Sequence, residues 1–246
     1  SNNIRLVVVD IDGCLTPGEA APWDFSVLQF VADLNRRARA DARQFAVTLC
    51  TGRQEPYVEA MMQAIDAHAP GIYENGGGLY FPAQYRFVEN PAIGAKEREK
   101  IAQVREILRR EIVESGLGQF QPGKEVSVTL YPARAGVTFE QLAGIAHRAL
   151  DGKINGLTIM PLVTSVDIVL NGIDKGAGVE WLSRETDIPL AQIGGIGDSS
   201  GDLPFLRRVG FSAAPANATD DVKRAAQYVS PFGNGKSVVD ILSRWA

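Results

Sequence analysis

The chain has 246 residues, 45% of them apolar and 22% charged, with 25 Lys plus Arg against 29 Asp plus Glu for a net charge of −4. That length fits one or two domains around a sizeable core, and the mild acidity gives no electrostatic reason to expect nucleic acid or an anionic membrane as partner. No apolar stretch approaches the ~20 residues that a bilayer crossing needs and the N-terminus lacks a signal pattern, so the expected setting is the cytoplasm. Ser1 and Asn2 read as an appended remnant.

In chain order, apolar runs rich in Val and Ile at 4–9, 45–49, 71–73 and 193–196, with a weaker one at 211–213, predict strands. They are apolar on both faces, as parallel strands covered by helices on each side are. Helical patterns at 27–40, 56–65, 176–186, 203–209, 220–226 and 237–245 alternate with them. The βαβα alternation predicts an α/β fold, a Rossmann-like doubly wound parallel sheet. The middle of the chain reads differently. Strand-like pieces at 79–81 and 85–88 precede a long charged helical stretch, AKEREKIAQVREILRREIVES, at 95–115. An alternating strand at 125–131, a helix at 139–150 and two strands at 157–161 and 165–170 follow. This pattern predicts a separate α+β unit inserted at 79–170, bracketed by the turns ENGGGLY and NGIDKG, with 1–78 and 171–246 forming the core domain. The charges of 96–111 read as a solvated helix face.

Chemistry here cannot rest on a Ser-His-Asp or Cys-His arrangement. The two histidines, His68 and His147, fall in helical segments, and the two cysteines, Cys14 and Cys50, have neither CxxC nor zinc spacing, so they read as buried thiols. The carboxylates are more informative. The stretch VVVDIDGCLTPG ends an apolar strand in Asp10 and Asp12, and IGGIGDSSGDLPF ends another in Asp198 with Asp202 four residues later. Ligands of parallel α/β sheets bind at the carboxyl ends of strands. Neighbouring carboxylates resist joint ionisation unless a proton or a cation lies between them. Helix capping would explain Asp198 and Asp202 taken alone. Two pairs at two strand ends favour a hard divalent cation, with Mg²⁺ the natural candidate for oxygen donors. Thr51 and Gly52, in LCTGR, join a hydroxyl, an unhindered backbone N–H and a helix start, which together favour an anion. Lys175 opens a helix where its charge opposes the dipole, which suggests a task such as neutralising phosphate. GGIGDSS lacks the third glycine of a dinucleotide fingerprint, and SPFGNGKS has Ser230 where a phosphate-binding loop needs glycine.

DIDGCLT, TGR, DKG and GDSSGD, in that order, resemble the four motifs of the haloacid dehalogenase-like (HAD) phosphohydrolases. The insertion between the second and third motifs, together with YENGG, is similar to the C2-capped branch, which includes sugar phosphatases, phosphoglycolate phosphatases, sucrose-phosphate phosphatases and phosphomannomutases. The resemblance implies Asp10 as nucleophile through an aspartyl-phosphate and Asp12 as general acid and base. It implies Mg²⁺ held by Asp10, the Asp12 carbonyl and Asp198, with Asp202 as ligand or support, and a phosphoryl cradle of Thr51, Gly52 and Lys175. Cys14 and Gly201 depart from the commoner residues at their places. A phosphatase of a small phosphorylated metabolite (a sugar phosphate or a phosphoglycolate-like acid) is the first expectation. A phosphohexomutase and a non-catalytic phosphometabolite binder are the alternatives, each as a monomer or homodimer. Arg53, Glu74 and Asn75 are candidates to reach substrate, against a bland reading as hinge hydrogen bonds. Substrate identity is expected to lie in the cap, where Arg86, Lys124 and Arg134 could read an acidic group or be solvated charges.

Overall fold

The structure, a computed structural model, describes residues 3–246; Ser1 and Asn2 lie outside them. Packing divides the chain into two units, 1–88 with 174–246 and 89–173.

The first unit is built on five parallel strands, β1 (Leu6–Val9), β2 (Ala46–Leu49), β10 (Ile193–Ile196), β11 (Phe211–Ala214) and β12 (Tyr228–Val229), in the order β12-β11-β10-β1-β2. Alternation sorts their side chains onto two faces. Val7, Val9, Val47 and Leu49 join one apolar cluster with α1 (Phe25–Ala40), α2 (Glu55–Ala64) and α8 (Asn234–Trp245). Leu6, Val8, Ala46 and Ile193 join another with α5 (Lys175–Thr186), α6 (Leu203–Leu206) and α7 (Asp220–Ala225). All of β1 and β2 is buried, so no solvated face remains to produce a polar alternation. The doubly wound expectation holds. The run at 71–73, expected as a further core strand, is β3 (Gly71–Tyr73). It touches the main sheet only through a parallel bridge from Ile72 to Cys50 and heads its own sheet with β4 (Gly78–Phe81) and β5 (Arg86–Glu89).

The second unit carries four strands, β6 (Gly118–Phe120), β7 (Val128–Pro132), β8 (Leu157–Pro161) and β9 (Val166–Leu170), antiparallel in the order β6-β7-β9-β8. Val128, Leu130, Val166 and Ile168 pack on α3 (Ala95–Leu108) and α4 (Phe139–Leu150). Thr129 and Asp167 fall on the other face, where the Thr129 hydroxyl donates to Asp167 at 2.9 Å. The insertion drawn at 79–170 from the glycine-rich turns falls instead at 89–173. The reason is packing: Leu79, Phe81 and Val88 belong to the core cluster around Leu6 and Val8. The helical stretch at 95–115 ends its regular turns at Leu108 and widens over Arg109–Val113, where the Glu114 N–H reaches the Arg109 carbonyl at 2.8 Å. Among the described residues no helix is long and apolar enough to cross a membrane.

Candidate active site

The parallel register fixes where the acids emerge. Val9 pairs with Ile196, so β1 and β10 end side by side, and the Asp10 N–H donates to the Ile196 carbonyl at 2.9 Å. Asp10 follows β1 directly and Asp198 follows β10 after Gly197. The chain then folds into a tight loop in which the Leu15 N–H returns to the Asp10 carbonyl and the Thr16 N–H to that of Ile11. Gly13 takes φ +82° in this loop, and a Cβ on it would overlap the Asp198 carboxylate. Only glycine allows the two strand tips to approach this closely.

Carboxylate oxygens of Asp10, Asp198 and Asp202 lie within 4.8 Å of one another. Lys175 stands among them, its Nζ 2.9 Å from Asp10 Oδ1 and 2.6 Å from Asp202 Oδ1. Asp202 is wholly buried and works as a fastener. Its Oδ2 accepts the N–H groups of Asp198 at 2.9 Å and Ser199 at 3.0 Å, which holds the β10 tip in shape while Oδ1 holds the lysine. The Asp174 carboxylate caps α5 by accepting the Ala177 N–H at 2.7 Å. An acid at the cap offsets the unfavourable first-turn lysine, whose place is explained by its two buried partners.

The electrostatics follow from three acids sharing one buried ammonium. Burial first, then the charge of Asp202, pushes Asp10 from 3.8 up to about 7 against the pull of Lys175. Burial, Asp202 and Asp10 push Asp198 up to about 8. Burial works against the Lys175 charge, yet Asp10 and Asp202 outweigh it and hold the ammonium above its ordinary value. Cys14 donates to Asp198 Oδ1 at 3.7 Å, and burial raises both thiols, so Cys14 and Cys50 are inert thiols rather than thiolates.

Asp12 points elsewhere. Both of its oxygens are taken by Arg53, Nε to Oδ2 at 2.6 Å and Nη2 to Oδ1 at 2.8 Å. The Arg53 N–H donates to the Thr51 hydroxyl oxygen at 3.2 Å, and its carbonyl accepts the Glu74 N–H at 2.9 Å. Thr51, Gly52 and Arg53 thus follow β2 as one turn beside the loop of Asp12. Asn75 is buried, and its N–H donates to the Thr51 carbonyl at 3.0 Å. Glu74 and Asn75 both have left-handed backbones, with φ of 45° and 57°, a strained pair that these bonds hold against the turn after β2. Of the outlying candidates, Arg86 lies over the Phe81 ring at 4.2 Å, Lys124 is buried in the second unit and Arg134 is exposed.

The structure brings Asp10, Asp198, Asp202 and Lys175 together and sets Asp12 with Arg53. Sequence reasoning missed two supports. The Asn217 amide donates to the Gly13 carbonyl at 2.9 Å while its oxygen accepts the Asn234 N–H at 2.8 Å, tying the Asp10 loop to α8. Tyr57 and Glu19 flank Arg53. Asn217 sits in the tail segment GFSAAPANATDD, but nothing local marks an asparagine as a tether.

Fold and site together define a doubly wound α/β enzyme with its acids at adjacent strand tips and a second α+β unit inserted in the chain. Residues 148–242 match the family of haloacid dehalogenase-like hydrolases. The chain is 26% identical to the phosphoglycolate phosphatase of Thermoplasma volcanium across 98% of both chains. A solved protein of Thermoplasma acidophilum superposes with a TM-score of 0.74 at 20% identity, over 98% of both chains. The sucrose-phosphatase of Synechocystis sp. PCC6803 does so with a TM-score of 0.70 at 12% identity, over 98% of this chain and 97% of that one. The resemblance carried by the four motifs agrees with these comparisons: the C-terminal part of the chain matches the haloacid dehalogenase-like hydrolase family, and its whole length is similar to phosphoglycolate phosphatases.

Proposed function

We propose that the chain is a Mg²⁺-dependent phosphatase of a small phosphorylated metabolite, a phosphoglycolate-like acid or a sugar phosphate, working through an aspartyl-phosphate on Asp10. The observation that carries this reading is the Asp10 carboxylate at a strand tip, 2.9 Å from the Lys175 ammonium and within 4.8 Å of Asp198 and Asp202 oxygens.

An Asp10 oxygen attacks phosphorus, the ester P–O bond breaks, and the departing oxygen takes a proton from Asp12. Water then attacks the aspartyl-phosphate and gives a proton to Asp12, and the bond between Asp10 and phosphorus breaks to release phosphate. Lys175 and the Thr51 hydroxyl offset charge on the phosphoryl oxygens as it builds. The donor set fits a hard divalent ion: three carboxylates gather around one ammonium, and burial and their mutual charge push two of them up to about 7 and about 8. Asp10 and Asp198 would hold it with the Asp12 carbonyl, and Asp202 would orient them. When bound, Mg²⁺ supplies Lewis-acid stabilisation of charge on the phosphoryl group.

Phosphate release should be measured with p-nitrophenyl phosphate, phosphoglycolate and a set of sugar phosphates, with Mg²⁺ and after chelation. Turnover that needs Mg²⁺ supports the reading. Activity that requires a hexose bisphosphate would point to a mutase, and silence across the set to a binder.

The ion also has a stability signature. Asp10 and Asp198 keep their protons to about 7 and about 8 in the folded chain, against 3.8 for each ordinarily. Between those values these two groups bind more protons in the folded state than in the unfolded one, so their contribution to metal-free stability falls as pH rises from about 4 to about 8. Mg²⁺ at about 100 times its Kd would contribute about 2.7 kcal/mol, or roughly 5–10 °C for a domain of this size. That gain should be large at pH 8 and small at pH 5, where protons occupy the site. A magnesium shift of equal size at both pH values would count against this charge assignment.

A further inference from the structure

Asp12 is held by more than one contact. The bidentate Arg53 pair leaves the two side chains only 13% and 18% exposed. Behind it, the Arg53 guanidinium lies 4.8 Å from the centre of the Tyr57 ring, and Tyr57 packs edge-on to Trp23 with centroids 6.1 Å apart. Glu19 closes the third side, 3.9 Å from Nη2. Three separate segments, the loop after β1, the turn after β2 and the first turn of α2, meet in this one support. A guanidinium in fork geometry fixes both the position and the plane of a carboxylate, which a lysine does not. Each Asp12 oxygen keeps a second acceptor direction, so the side chain can carry a proton toward a leaving group while Arg53 holds its plane.

Building on the function proposed above, we infer that Arg53 is a positioning residue for Asp12: a clamp mounted on Tyr57 that aims the acid at the leaving oxygen. It differs from an arginine that grips the phosphoryl group, and the two roles part on the leaving group. A phosphate-gripping arginine matters for every ester alike. In the transfer to Asp10, a residue that aims the general acid matters for alkyl esters, whose alkoxide leaves poorly, and little for p-nitrophenyl phosphate, whose phenolate leaves without help; the later hydrolysis is common to both.

The test compares kcat/KM, which reads the transfer to Asp10 and not the later hydrolysis that also uses Asp12, for p-nitrophenyl phosphate and for an alkyl phosphate that the wild type turns over, in wild type, Arg53→Ala, Arg53→Lys and Asp12→Asn, all with Mg²⁺. A loss of kcat/KM for the alkyl ester at least ten times that for p-nitrophenyl phosphate is expected in Arg53→Ala, as in Asp12→Asn. Arg53→Lys should restore only part of it. The double variant should be about as slow as Asp12→Asn, because the clamp has nothing left to aim. The ratio of the two substrates within one preparation is independent of how much of it is folded. Equal losses of kcat/KM for both esters would overturn the assignment while leaving the phosphatase reading intact. A wild type inactive on both esters would instead remove the reading on which it rests.

Discussion

Replacing Asp10 by Asn removes turnover of every phosphate ester, by roughly 10⁴- to 10⁶-fold on the scale of other lost covalent nucleophiles. The amide keeps the shape of the side chain but has no anionic oxygen to attack phosphorus. The same substitution leaves a metal-free protein that is harder to unfold above neutral pH. Burial and Asp202 raise Asp10 from 3.8 to about 7 despite Lys175 at 2.9 Å, so ionising this carboxylate costs the folded chain more than the lysine returns. The sign is that of an acid raised on folding: its cost is absent below about pH 4 and complete above about pH 7. Asparagine carries no such cost. Thermal unfolding in a chelator at pH 8 should place Asp10→Asn roughly 5 °C above wild type, with the difference gone at pH 4. A variant less stable than wild type at pH 8 would mean that Lys175 outweighs burial. Inactivity with a higher unfolding temperature is what a site strained for function predicts.

Much of this site was legible because it is local. Asp10 and Asp198 each end an apolar strand, and parallel neighbours bring such ends together whatever the loops do. Lys175 was legible as an exception, a cation at a helix start. The Asp12–Arg53 pair was not, since the partners are 41 residues apart and no spacing rule says that an arginine turns back to an acid rather than out to a ligand. Asp202 could be read as ligand or as support, and its hydrogen bonds to Asp198 and Ser199 favour support. In the fold, β12 has two residues and β6 three, too few for alternation to register. The widened turn at Arg109–Val113 leaves no mark in a run of charges that suits a regular helix equally well. The domain edge shifted because glycine-rich turns show where a chain can bend, whereas Leu79, Phe81 and Val88 decide which core it belongs to.

Lys175→Met should be the most destabilising substitution in the site and nearly as damaging to turnover. Methionine nearly fills the space, so the loss is one of charge. Asp10 and wholly buried Asp202 would then face each other without the ammonium that now lies 2.9 Å and 2.6 Å from them. Removing one partner of a buried ion pair typically costs about 3–5 kcal/mol, or about 10 °C in unfolding temperature for a domain of this size. The penalty must depend on pH. Without Lys175 the Asp10 and Asp198 carboxyls hold their protons to still higher pH, so the variant approaches wild type near pH 5 and falls furthest behind at pH 8. A packing defect would cost the same at both. Millimolar Mg²⁺ should recover part of the stability at pH 8, because a divalent ion restores positive charge among the same oxygens, but not the turnover, since no ion stands where the ammonium meets the phosphoryl group. Unfolding curves at the two pH values, with and without Mg²⁺, separate these effects. A uniform loss that Mg²⁺ leaves unchanged would show that Lys175 is held by packing rather than by the acids around it.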